Sequence, residues 1–141
     1  MNFRVAFDAD VLIYAAAQHP LGAGVTHLFD QAGDTERVGM GSVLLLPEVL
    51  SKPMRSSSEF HEGKRLHGLL SRIDLRPCDL PTARLALVLA AKYGLRTADA
   101  THLATAVAGG AEWFITNNRK DFSKDITEID VVYPDELPGY S

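Results

Sequence analysis

The sequence lacks most of the features that would take it out of the ordinary globular class. It has one cysteine, Cys78, in 141 residues, so no internal disulfide is available and a reducing, cytoplasmic setting is expected. It has no long hydrophobic run. The longest strictly apolar stretches, residues 11–17 and 85–91, are seven residues each, against the ~20 that a membrane-spanning helix needs. The first residues hold Arg4 and reach Asp8 with no apolar h-region between them, so no secretory signal is expected. Internal repeats and low-complexity tracts are absent. With 46% apolar and 23% charged residues, disorder, collagen and coiled coil are excluded. A chain of this length reads as one domain, residues 1–141, able to bury roughly 68% of its unfolded surface without staples. It also lacks an excess of positive charge. The net charge of −4 does not advertise nucleic-acid binding.

The charge that is present is unevenly placed. Residues 51–98 carry nine Lys/Arg against four acids, a local +5, while the rest carries five against fourteen, a local −9. A basic middle with acidic flanks suits a phosphate-binding rim around a carboxylate pocket. A solvated helix face is the competing and plainer reading.

Hydrophobic patterning alternates strands with helices. Residues 3–7 are a short apolar run of β-formers that ends at Asp8, and they read as a buried strand. Residues 11–18 are Ala-rich and read as a helix closed near Pro20. Val25, Leu28 and Phe29 mark a second short helix, Gly33 and Asp34 a turn, and residues 37–41 a second strand. Ser42 is a candidate cap, and Pro47 suits the first turn of the helix that follows. Residues 52–59 read as a loop. Leu66, Leu69, Leu70 and Ile73 repeat at i, i+3, i+4, i+7 on one helix face, and residues 75–78 read as a short strand. Pro81 opens a helix that Gly94 closes, and Thr97 caps the next, with Leu103, Ala104 and Val107 inward. Strands are expected at 112–116 and 129–133, separated by the polar loop 117–121. The pattern predicts an α/β fold, a three-layer α/β/α sandwich on a mostly parallel sheet.

In such folds ligands bind beyond the carboxyl ends of the strands. The polar clusters fall there: Asp8 and Asp10 after the first strand, Ser42 and Glu48 after the second, Thr116, Asn117 and Asn118 after a later one, with Asp99 at a helix start. Two carboxylates 4 Å apart repel by about 4 kcal/mol at an effective dielectric of 20. Such a cluster persists if a cation sits among its members or if one stays protonated. Hard oxygen donors without thiolate favour Mg²⁺ or Mn²⁺ over Zn²⁺, and the chemistry that follows is metal-assisted phosphodiester hydrolysis. Each residue also has a structural role open to it. Asp8 and Asp10 can form a turn and a helix cap, Glu48 and Asp99 suit the positive field of a helix start, and Asp121 can be plain surface. His102 follows Asp99 by one turn. An Asp-x-x-His pair can bind metal, but packing beside the site is the favoured reading.

These residues carry a family resemblance. Phe-Asp-Ala-Asp-Val-Leu-Ile-Tyr at 7–14, Leu-Pro-Glu-Val-Leu at 46–50, Tyr-Gly-Leu-Arg-Thr-Ala-Asp-Ala-Thr-His-Leu-Ala-Thr-Ala at 93–106 and Phe-Ile-Thr-Asn-Asn-Arg-Lys-Asp-Phe at 114–122 resemble the PIN-domain ribonucleases, in particular the VapC-type toxins of bacterial toxin–antitoxin (VapBC) pairs. The likeness runs from about residue 4 to 134, and its 93–106 block is the most specific part. It implies a metal-dependent endoribonuclease that uses Mg²⁺ or Mn²⁺. By this resemblance Asp8 looks like the first metal-binding acid, Glu48 the second and Asp99 the third, and Thr116 looks like the hydroxyl residue that closes the site. Asp10 stands where the family commonly has Asn. Asn118 stands where many members have a fourth Asp, so that position is open between Asn118, through its amide, and Asp121. The resemblance further implies an RNA substrate, a tRNA or a ribosomal loop, a cognate VapB-type antitoxin whose C-terminal segment lies across the acidic site, and a homodimer.

Two rivals bear on the same residues. Asp8-x-Asp10 and Phe114-Ile-Thr-Asn also resemble the first two motifs of the haloacid-dehalogenase phosphatases. Only 25 residues follow Thr116, too few for the downstream Lys and acidic pair that family needs. A non-catalytic PIN-like module with a decayed site, binding RNA or protein, is favoured by Asn118 and disfavoured by the presence of Asp8, Glu48 and Asp99.

Overall fold

The computed structural model describes residues 4–33, 36–56 and 60–140. Of the sequence expectations, Phe3, Asp34 and residues 57–59 lie outside them. Five strands form one sheet: β1 (Val5–Phe7), β2 (Gly39–Ser42), β3 (Ile73–Arg76), β4 (Trp113–Ile115) and β5 (Asp130–Val132). Their order is β3-β2-β1-β4-β5 and every pairing is parallel. Among the described residues six α-helices join them: α1 (Ala9–Ala16), α2 (Ala23–Gln31), α3 (Leu45–Arg55), α4 (Phe60–Leu70), α5 (Leu80–Tyr93) and α6 (Thr97–Ala108).

Period-two alternation of the strands divides the core. Val5 and Phe7 of β1 and Ile115 of β4 face one layer, with Leu12, Phe29, Leu45, Leu66 and Leu70 from α1 to α4. Ala6 and Phe114 face the other, with Met40, Leu89, Leu103, Phe122 and Val131. A strand buried on both faces reads as a continuous apolar run, which is what made β1 and β4 legible. The α/β/α sandwich expected from the sequence is the architecture observed.

The chain winds outward from β1 through β2 to β3, then crosses to the opposite side of β1 for β4 and β5. The strand order therefore reverses beside β1, and the carboxyl edges of β1, β2 and β4 border the crevice that such a reversal opens.

Several boundaries differ from expectation for local reasons. α1 begins at Ala9, two residues early, because Asp8 takes the N-cap position in extended conformation. Residues 52–55 are helix, not loop. Pro53 falls in the last turn of α3, where its missing N–H removes one bond and its ring packs toward Gly63 of α4. Ile73 leaves the helical stripe to open β3, which ends at Arg76 rather than Cys78. Thr97 is the first residue of α6, and Arg96 holds the cap position. Ser42 closes the strand end, its Oγ accepting from the Leu44 N–H at 3.1 Å, while Leu44 occupies the cap of α3. α5 begins and ends as its sequence implies. Asp79 accepts from the Thr82 N–H at 3.0 Å, and Gly94 closes the helix at φ +67°, a backbone shape that glycine adopts at no steric cost.

Candidate active site

Four separated parts of the chain bring carboxylates to the carboxyl edge of the sheet. Asp8 follows β1 directly and is 6% exposed. Its Oδ1 accepts from the Ala9 N–H at 2.9 Å, and its Oδ2 accepts from the Thr116 hydroxyl at 2.7 Å. Thr116 follows β4 and is fully buried. Its Oγ1 accepts in turn from the Asn118 N–H at 3.1 Å. The β1–β4 pairing, with Phe7 opposite Ile115, is what sets Asp8 and Thr116 side by side across 108 residues of chain.

Asp10, in the first turn of α1, accepts from the Asn117 N–H at 3.0 Å through Oδ2. Its Oδ1 is buried and has no hydrogen-bond partner. Asn118 donates from its amide to Asp121 Oδ2 at 3.0 Å, and the Asp121 N–H donates back to Asn118 Oδ1 at 3.3 Å. The two candidates for the fourth position are thus bonded to each other. Asp99 stands in the first turn of α6 and Glu48 in the first turn of α3. One oxygen of Glu48 lies 2.8 Å from Nε2 of His102, whose ring is 2% exposed.

These acids act on one another's charge. Burial raises the Asp8 carboxyl above its ordinary value, against the Thr116 hydroxyl bond that lowers it, and the charge of Glu48 pushes it further up. Asp10 is pushed to about 7, by burial first and by the charge of Asp8 second. Asp99 is raised by burial and then by Asp8, Asp121 and Glu48. Asp8, Glu48, Asp99 and Asp121 therefore share one electrostatic neighbourhood. Sequence reasoning places Asp10 in the polar cluster after the first strand and notes it as a departure from the family pattern, without assigning it a role in the site. That its side chain is half-buried with an unpartnered oxygen depends on the Asn117 turn, which has no signature near residue 10.

Among the described residues, no three of the acidic and histidine side chains stand as a ready-made set for an ion. Each of three acids has a partner of its own: Glu48 the His102 ring, Asp121 the Asn118 amide and Asp8 the Thr116 hydroxyl. The donor chemistry nonetheless fits a hard divalent cation. It offers carboxylate oxygens, no thiolate, a buried carboxylate oxygen left unpartnered, and acids whose proton affinity is raised by burial first and by neighbouring carboxylates second. Cys78 is exposed elsewhere on the chain.

The basic residues divide on inspection. Lys64 and Arg55 are exposed. The Arg65 guanidinium instead donates from Nε to the Ala16 carbonyl at 2.6 Å, pinning α4 to the end of α1. Arg119 is paired with Asp135 at 2.7 Å and lies over the Tyr133 ring.

Comparisons with known proteins agree with this fold. The PIN domain model matches residues 5–125. The fold is similar to a chain of a toxin–antitoxin complex from Klebsiella pneumoniae, at 25% identity and a TM-score of 0.73, covering 94% of this chain and 99% of that one. It is also similar to a chain of the Salmonella typhimurium VapBC complex bound to DNA, at 17% identity and a TM-score of 0.74, covering 94% and 98%. A third is a chain of Rickettsia felis VapBC2 bound to a promoter DNA fragment, at 18% identity and a TM-score of 0.70, covering 92% and 97%. At 17% and 18% the likeness is one of fold. A search of curated proteins finds none that matches.

Proposed function

The chain belongs to the PIN-domain family, and from that premise we propose that it is a metal-dependent endoribonuclease, the VapC-type toxin of a type II toxin–antitoxin pair. The observation that carries this reading is the convergence of four acids from four parts of the chain at one sheet edge, where the charge of Glu48 reaches Asp8 and the charges of Asp8, Asp121 and Glu48 reach Asp99. Natural selection of stability alone has no use for such a cluster, since each added charge costs folding energy.

Asp8, Glu48 and Asp99 are the residues to hold Mg²⁺ or Mn²⁺, with Asp121, steadied by Asn118, in the fourth acidic position. The ion, when bound, supplies charge neutralisation at the scissile phosphate and a water acidic enough to attack it. Thr116 keeps Asp8 oriented by donating to Oδ2, and Asn118 keeps Thr116 oriented by donating to its Oγ1. Asn118 also fixes Asp121, so its amide serves the site even though it brings no charge. No protein nucleophile is required.

The substrate is RNA, a tRNA or a ribosomal loop, and the inhibitor is a VapB-type antitoxin offering Arg or Lys to the carboxylates. Of the apolar helices that suggest themselves as its groove, α1 has Val11 and Leu12 in the core, leaving Leu46 of α3, which is exposed, and Leu50, which is half-buried. A homodimer and a cytoplasmic setting belong to the same reading. Among the described residues no helix is long and apolar enough to cross a membrane.

Asn118, and the absence of a ready-made ion set, favour a second reading, a non-catalytic module that binds RNA or protein. Incubation of the purified chain with total RNA, tRNA and rRNA, with Mn²⁺, Mg²⁺ or EDTA, separates the two. Cleavage with metal and none in EDTA is expected. No metal-dependent cleavage of any of them rules the nuclease out.

A further inference from the structure

His102 is not among the residues that the resemblance places in the site, yet it bonds one of them directly. Its ring lies on α6 one turn beyond Asp99 and is 2% exposed. Nε2 lies 2.8 Å from Oε1 of Glu48, a residue 54 positions earlier in the chain. The other ring nitrogen, Nδ1, is buried and has no partner.

The two nitrogens together settle which way the ring works. A carboxylate can only accept, so the hydrogen belongs on Nε2. A hydrogen placed on Nδ1 instead would be a buried donor with no acceptor, while Nε2 would turn a lone pair toward a carboxylate lone pair. Both changes are unfavourable. The ring is therefore locked as a donor aimed at Glu48.

Glu48 needs such a donor. It sits on the exposed side of the first turn of α3, with a side chain 35% exposed. α3 packs against α1 and α4, whereas α6 packs against α5, β2 and β4. The helices carrying Glu48 and Asp99 are thus supported by different parts of the sandwich. Three rotatable bonds leave a glutamate free to turn into solvent, away from acids that repel it. A bond from a ring that cannot itself move opposes that.

We infer that His102 is a positioning residue: its Nε2–H holds one oxygen of Glu48 and so keeps the other oxygen of that carboxylate with Asp8 and Asp99, as a divalent cation requires. This rests on the nuclease reading above, because only a site that takes a cation needs Glu48 held against its neighbours' charge. Partners of this kind around metal ligands change affinity by roughly 10–100-fold when removed.

The test uses the full chain without RNA. Mn²⁺ affinity is measured calorimetrically for the wild type, His102→Leu, His102→Gln, Glu48→Gln and the double variant Glu48→Gln/His102→Leu. The leucine keeps the apolar bulk and loses the donor, and the glutamine amide restores a donor. His102→Leu is expected to weaken Mn²⁺ binding about 10-fold or more, His102→Gln to recover most of the loss, and His102→Leu to add nothing in the Glu48→Gln background. A leucine variant that binds Mn²⁺ as the wild type does overturns the inference and leaves the nuclease reading standing. A wild type that binds no Mn²⁺ overturns both. If the leucine variant fails to fold, nitrogen-15 NMR of the wild-type ring decides. Hydrogen on Nε2, with ring signals that move on Mg²⁺ addition, supports the role. Hydrogen on Nδ1, or signals indifferent to Mg²⁺, overturns it.

Discussion

Asp8 and Asp79 hold the same post in two regions of the molecule. Each is the extended N-cap residue of a helix, Asp8 of α1 and Asp79 of α5, and each accepts a backbone N–H from that helix. Their acidities go opposite ways. Asp79 is exposed, accepts from both the backbone and the hydroxyl of Thr82, and has its carboxyl held below the ordinary value by those bonds. Asp8 accepts two hydrogen bonds as well, but burial and the charge of Glu48 hold it above the ordinary value. Capping is a full account of Asp79. It leaves Asp8 unexplained, because a cap gains nothing from being buried among other acids. The difference teaches that a helix-start carboxylate is ordinary or functional according to its surroundings, not its position.

The largest expected effect breaks the two apart by activity. Asp8→Asn and Asp99→Asn should each reduce RNA cleavage to the level seen in EDTA, while Asp79→Asn should cleave as the wild type does. A gel assay on structured RNA with Mn²⁺ measures all three. Loss of activity in Asp79→Asn, or its retention in Asp8→Asn, would erase the contrast.

The second effect is on stability against pH in metal-free buffer. Asp10, beside Asp8, has its carboxyl raised from 3.8 to about 7, so the folded chain binds that proton more tightly than the unfolded one. Its contribution is full below about pH 3.8 and lost as the pH rises through about 7. At 1.36 kcal/mol per unit the deficit above pH 7 is at most about 4 kcal/mol. Asp10→Asn, which can still accept from Asn117, should raise Tm near pH 8 and flatten the profile between pH 4 and 7. Asp79 has the opposite sign. Its lowered value means stability that is present above 3.8 and lost as the pH falls through the folded value, so Asp79→Asn should cost stability at neutral pH and nothing in strong acid. Thermal unfolding across pH 3–8 measures both slopes, and equal slopes would contradict the account.

What the sequence made legible follows the range of the interactions involved. β1 and β4 show as apolar runs that stop at polar clusters, and α5 shows because Pro81 and Gly94 act within a turn of where they stand; the Asp79 cap came only with the structure. The carboxylate edge was legible as well, since strand-then-acid spacing recurs at Asp8 and Glu48. Ile73 was misread because it continues the i+7 spacing of Leu66 although the chain has already turned. Pro53 suggested a loop because its harm to a helix depends on how many turns follow it, and here almost none do. The His102–Glu48 contact had no local sign. Asp-x-x-His left packing beside the site as the favoured reading over a ligand, and only the fold shows that the ring meets a glutamate from another helix.

A smaller effect concerns the basic stretch. Lys64→Gln and Arg55→Gln should each reduce the slope of log RNA affinity against log salt by about 0.7–0.9 if each makes a phosphate contact. Arg65→Gln should alter stability more than the slope, because its guanidinium is bonded to the Ala16 carbonyl. Filter binding by the Asp8→Asn protein without metal, across a salt series, measures this. Unchanged slopes for Lys64 and Arg55 would assign their charge to solubility.

The claim that a divalent cation belongs among Asp8, Glu48 and Asp99 is tested most directly by thermal unfolding near pH 8 with and without Mg²⁺, for the wild type, Asp8→Asn and Asp79→Asn. The account predicts that Mg²⁺ raises the Tm of the wild type and of Asp79→Asn, and that Asp8→Asn starts at an equal or higher Tm and gains nothing. A wild type indifferent to Mg²⁺, or an Asp8→Asn protein stabilised by it as much as the wild type, would contradict it.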